Sequence, residues 1–101
     1  KFEYIKTEKL DFFTKKRKLN KIDLLKIDTE GHELNVVKSG LKTLKKTNYL
    51  LIEFIQNDLY LNYSSQALHK IVLKNNFKLI KRFKFPLFSM EDRLYKNSSI
   101  L

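Results

Sequence analysis

The chain has 101 residues, 43% apolar and 13% aromatic, with 21 basic against 11 acidic side chains and a formal net charge of +10. That length suits one small domain or part of a larger one, and the apolar fraction supports a packed core rather than disorder. The absence of cysteine excludes a disulfide framework or a thiolate metal site, and the longest apolar run, residues 49–55, is far short of the roughly 20 residues a spanning helix needs.

No secretory segment is present, so a reducing cytoplasmic setting is expected. Lys1 rather than methionine opens the sequence and Met90 is its only methionine, which suggests a fragment. The charge invites a nucleic-acid reading. Composition weakens it: 18 of the 21 basic residues are lysine, with only one alanine, two glycines and one proline. An A+T-rich coding sequence would give that skew, with lysine as the default surface residue.

Along the chain, residues 2–7 alternate enough for a short strand, and Leu10-Asp11-Phe12-Phe13 with Lys15-Lys16-Arg17-Lys18 reads as a short basic helix. The charge run is most simply a solvated face, with phosphate binding the minority reading. Residues 22–28 are nearly continuously apolar, which suits a strand covered on both faces, as in a parallel sheet. From about Glu30, Leu34, Val37, Leu41 and Leu44 recur at helical steps and predict one amphipathic stripe. Tyr49 to Ile55 is the clearest central strand, with Gln56-Asn57-Asp58 as its polar exit. Ser64 or Ser65 is a plausible N-cap for a helix carrying Ala67, Leu68, Ile71 and Val72, ending near Asn75-Asn76. Phe77 to Phe83 makes a third strand, Phe85-Pro86-Leu87 a loop and Arg93 to Asn97 a last strand. Strand–helix alternation with connections of this length predicts an α/β fold with mostly parallel strands and flanking helices. No domain boundary is visible.

The chemistry concentrates at Ile22 to Leu34, a strand that ends in Asp28, Glu30 and Gly31 before a helix. Ligands of open α/β sheets sit beyond the carboxyl ends of strands. If strands 22–28 and 49–55 are parallel neighbours, Asp28, Glu30, Glu53, Gln56 and Asn57 rim one crevice. Clustered carboxylates raise one another's pKa, and one tuned this way can take a proton from a hydroxyl. The same oxygens could hold a hard divalent cation, although no metal is assigned. The plainer reading is that Asp28 and Glu30 favour a helix N-terminus electrostatically, with Thr29 as N-cap and Gly31 as a small packing residue. His32 faces either the crevice or solvent; His69 reads as structural. Lys26, inside a strand, calls for a partner among Asp28, Asp23 and Glu53. Tyr60 and Tyr63 line a substrate mouth or pack in the core.

Ile22 to Glu33, then Val36-Val37-Lys38-Ser39-Gly40 and Leu51-Ile52-Glu53, resembles the FkbM-type family of S-adenosylmethionine-dependent methyltransferases. The family's strand ending in Lys-Ile-Asp-x-Glu-Gly-x-Glu falls here on Lys26, Ile27, Asp28, Glu30, Gly31 and Glu33, and its second strand ends on Glu53. Leu10-Asp11-Phe12-Phe13 resembles the short segment that precedes. Lys9 replaces a usual threonine, and Ser39-Gly40 a usual glycine-alanine pair. The family's upstream glycine-rich cofactor loop has no counterpart among residues 1–101.

The resemblance therefore implies the C-terminal half of a single Rossmann-like methyltransferase domain, strands four to seven, with an antiparallel last strand matching Arg93 to Asn97. It implies methyl transfer from S-adenosylmethionine to a hydroxyl of a sugar or natural product. Asp28, Glu30 and Glu53 would be the catalytic carboxylates, and His32 and Asn57 would lie on the acceptor side; no residue is assigned to the cofactor. The competing readings are a non-catalytic basic module that binds nucleic acid or anionic surfaces, and an inactive fragment.

Overall fold

The computed structural model describes residues 9–29, 31–55, 64–85 and 90–100. The strand expected over residues 2–7, together with Glu30, Gln56, Asn57, Asp58, Tyr60, Tyr63 and the Pro86-Leu87 turn, lies outside them. The elements in chain order are α1 (Leu10–Lys16), β1 (Ile22–Ile27), α2 (Glu33–Lys38), α3 (Leu41–Lys45), β2 (Thr47–Ile55), α4 (Ser65–Lys74), β3 (Phe77–Lys84) and β4 (Met90–Asn97).

The four strands form one sheet in the order β1-β2-β4-β3. β1 and β2 run parallel with Ile27 opposite Ile52, and β4 lies between β2 and β3, antiparallel to both. This corrects the mostly parallel, Rossmann-like sheet expected from the sequence: the sheet is mixed, with one parallel pair, and the domain is α/β in the general sense. The cause is the last connection. Only residues 85–89 separate β3 from β4, room for an antiparallel return but not for the dozen or more residues of a parallel crossover.

The helical stripe is also interrupted, giving α2 and α3 rather than one helix. Ser39 Oγ bonds the Val36 carbonyl at 2.8 Å, and the Ser39 carbonyl and hydroxyl accept from the Asp11 and Leu10 N–H groups of α1. A Cβ at Gly40 would overlap the Leu10 side chain, so the break is where α1 docks. Asp11 reinforces it by accepting from Lys42 N, Thr43 N and Thr43 Oγ1 at the start of α3. Ser64 caps α4 through the Ala67 N–H, as expected.

One face of the sheet is packed. Ile27, Leu50, Ile52, Phe54, Phe77 and Tyr95 form a single core with Val37 and Leu44 of α2 and α3 and with Leu68 and Val72 of α4. The other face, with Leu24, Lys26, Tyr49 and Phe83, is exposed among the described residues. Among the described residues β1 lies at the edge of the sheet, and Lys26 is exposed, its charge acting on Asp92 rather than on a buried partner. Asn97 locks the far end of β4: its amide donates to the Leu44 and Thr47 carbonyls, and its oxygen accepts from Ser99.

Candidate active site

Parallel pairing sets the geometry of the site. Asp28 follows the Ile27–Ile52 pair and so stands beside Glu53, and Glu53 faces Asp92 across the antiparallel β2–β4 ladder. Directly opposed residues project to the same side of a sheet. Three carboxylates from three strands therefore form one row on the open face. With Lys26, Phe85 and Met90 they line a cleft of about 380 Å³.

Glu33 enters from behind. It is fully buried, and its carboxylate accepts from Thr29 N at 2.5 Å, Thr29 Oγ1 at 2.8 Å and Gly31 N at 3.0 Å. These bonds fold the β1–α2 loop back on itself, and Gly31 takes φ 106 to make the turn, a conformation costly for any residue with a Cβ. Thr29 is therefore not the N-cap of the following helix; it donates to that helix's first residue. Gly31 supplies a backbone angle as well as small size.

Carboxylate oxygens of Asp28, Glu33 and Glu53 approach within 4.8 Å of one another. Burial first, then the charge of Asp28 and its hydrogen bond, then Glu33 and Asp92, push the Glu53 carboxyl from its ordinary 4.5 up to about 7. A hydrogen bond between two carboxyl groups needs a proton, and the raised Glu53 is the group that holds it, with Asp28 accepting. Burial also raises Asp92, the Lys26 ammonium opposes the rise, and the Asp28 charge adds to it. A cation would find the spacing acceptable, yet both Glu33 oxygens are engaged by the loop, which leaves Asp28 and Glu53 too few for a protein cage.

Of the residues singled out in the sequence, the structure brings Asp28 and Glu53 together. Glu30 and Asn57 lie outside the described residues. His32 is exposed at the start of α2, makes no capping hydrogen bond and is not among the residues lining the cleft. Glu33 and Asp92 were not anticipated at the site. The carboxylate four residues after Asp28's neighbour Thr29 was a local clue to Glu33; Asp92 had none, because its place depends on where β4 inserts.

Behind the sheet, Glu91 is fully buried and takes a two-point bond from Arg82 at 2.5 and 2.6 Å, with Arg93 at 3.4 Å. His69 Nδ1 meets the Tyr95 hydroxyl at 2.8 Å. Burial, then Arg93 and Arg82, lower the His69 pKa, and burial drives Tyr95 up to about 12.

Asp28 and Glu53 thus stand at the carboxyl ends of the parallel pair, the side on which open α/β sheets place their ligands. Residues 3–79 match the methyltransferase FkbM domain model, and the chain belongs to that family. It is 34% identical over 97 residues to the 2-O-methyltransferase NoeI of Sinorhizobium fredii (strain NBRC 101917 / NGR234), covering 95% of this chain and 38% of that protein. The chain thus spans well under half the length of that relative. No solved structure matches it. No helix among the described residues is long and apolar enough to cross a membrane.

Proposed function

We propose that the protein transfers a methyl group from S-adenosylmethionine to a hydroxyl of a small-molecule or glycan acceptor, with Glu53 taking the hydroxyl proton. The observation that carries this is the hydrogen-bonded contact of Glu53 with Asp28, which together with burial pushes the Glu53 carboxyl up to about 7. A base poised near the working pH combines a useful deprotonated fraction with useful proton affinity. Family membership and the 2-O-methyltransferase relative support the reaction class.

The donor supplies an electrophilic methyl on a positively charged sulfonium. The acidic row fits that charge, but the chain's two glycines, Gly31 and Gly40, form no glycine-rich cradle, so no residue is assigned to the donor's nucleoside. Glu53 accepts the proton of the acceptor hydroxyl while that hydroxyl's oxygen forms the new C–O bond and the methyl–sulfur bond breaks, leaving the donor as a neutral thioether. Asp28 orients Glu53 and stabilises its protonated form by accepting the hydrogen bond. Glu33 holds the loop that follows Asp28, and Lys26 offsets the charge of Asp92. Glu30 and Asn57, with His32 at the approach, belong to the acceptor side on this reading.

The test is methyl transfer by the intact protein from labelled S-adenosylmethionine to a panel of sugars. Transfer that falls by about 10²–10⁴ in Glu53→Gln supports the role assigned; transfer undiminished in Glu53→Gln and in Asp28→Asn removes it.

A further inference from the structure

At the other end of β1, α1 closes with Lys18 N donating to Lys15 O and Leu19 N to Thr14 O. The closing residue, Lys18, has φ 54, the left-handed conformation that helix ends normally give to glycine. α4 ends in the same way with Asn76 at φ 71, a residue type that tolerates it. Lysine adopts it only at a cost in strain, and residues held in this way are enriched at ligand sites.

Helix dipoles explain part of the local charge, because cations suit the C-terminal turns of α1 and α3. Lys15, Lys16 and Lys45 already satisfy that demand, and a glycine at position 18 would leave it satisfied. What Lys18 adds is one more ammonium on a cleft of about 640 Å³, whose wall also carries Lys15, Lys42, Lys46, Phe12 and Leu19. The carboxylate on that wall, Asp11, is committed to the start of α3. Lys42 acts on the Asp11 charge, whereas Lys15, Lys18 and Lys46 make no ion pair among the described residues. Phe12 is 59% exposed beside them.

We propose that this cleft binds a phosphate-bearing small molecule with a flat apolar portion, the chemistry of a nucleotide. Its phosphates sit among Lys15, Lys18, Lys42 and Lys46, and its ring lies against Phe12 and Leu19. Lysine ammonium groups suit phosphate oxygens as point charges, and the cleft volume is within the range of small-molecule sites. The site is separate from the carboxylate row and stands whether or not the methyl-transfer reading does.

Calorimetry on the intact protein with ATP, tripolyphosphate and adenosine, without added divalent cation, tests it. ATP should bind with one-to-one stoichiometry and more tightly than tripolyphosphate, and adenosine should show no measurable heat. Lys18→Gly should weaken ATP binding about tenfold while raising Tm, since glycine relieves the left-handed turn. The control Lys70→Gln/Lys74→Gln, which removes two charges from α4, should change affinity by no more than about twofold. Absent ATP binding, unchanged affinity in Lys18→Gly, or equal losses in the α4 control would overturn the site. Equal affinity for ATP and tripolyphosphate would overturn the role of Phe12.

Discussion

Glu33 Oε2 accepts from both the main-chain N–H and the hydroxyl of Thr29, four residues earlier, so the helix that follows β1 holds the end of β1 in place. The carboxylate is fully buried, and its removal strands two backbone N–H groups. Glu33→Ala is expected to destabilise by about 2–4 kcal/mol, measured by urea denaturation. Glu33→Gln retains one acceptor oxygen and should lose less. A loss under 0.5 kcal/mol in the alanine variant would mean the loop does not depend on Glu33.

Asp11 performs the equivalent service for α3 from a distant part of the chain. Burial opposes its ionisation, but hydrogen bonds from Thr43 and Lys42 outweigh that and hold its pKa below the ordinary 3.8. A lowered folded pKa contributes stability that is present above pH 3.8 and is lost as pH falls through the folded value. Asp11→Ala should cost about 1–2 kcal/mol at neutral pH. Its deficit should shrink on acidification below about pH 4.

The Arg82–Glu91 pair carries a buried charge. Arg82→Ala deprives the fully buried Glu91 of its two-point partner and is expected to cost about 3 kcal/mol, read from the denaturation midpoint. Glu91→Gln, which removes the charge and keeps an acceptor, should cost less. The opposite order would show that the arginine matters for packing alone.

Glu53 has the reverse sign to Asp11. Its raised pKa means that the folded chain retains a proton which the unfolded chain releases near 4.5. Its contribution is therefore fully present below pH 4.5 and is lost as pH climbs to about 7. Glu53→Gln should gain stability relative to the parent as pH rises from 5 to about 8, in paired melts across that range. A difference independent of pH would remove the buried-carboxylate account.

Much of this architecture was legible in local pattern. The apolar runs at β1 and β2, Ser64 before α4, and the Asp28–Glu53 juxtaposition all follow from short-range periodicity and a parallel pair. Three things did not. The antiparallel sense of the last strand came from the family resemblance and is found in β4, but its insertion between β2 and β3 rests on non-local pairing and leaves a mixed sheet with one parallel pair instead of the mostly parallel one expected. The break at Ser39-Gly40 is made by contact with Leu10 and Asp11, about 30 residues away in sequence and invisible to helical spacing. Asp92 joins the acidic row only through the β2–β4 register. Leu24 and Lys26 of β1 are exposed among the described residues, so these residues do not supply the two-sided cover that its apolar run suggests.

The most direct measurement is a ¹³C NMR titration of the Glu53 side-chain carboxyl in the folded protein. The account requires a midpoint near 7, moving toward 4.5 in Asp28→Asn. A midpoint near 4.5 in the unaltered protein would contradict it, because Glu53 would then offer Asp28 no proton and the proposed base would have no tuned pKa.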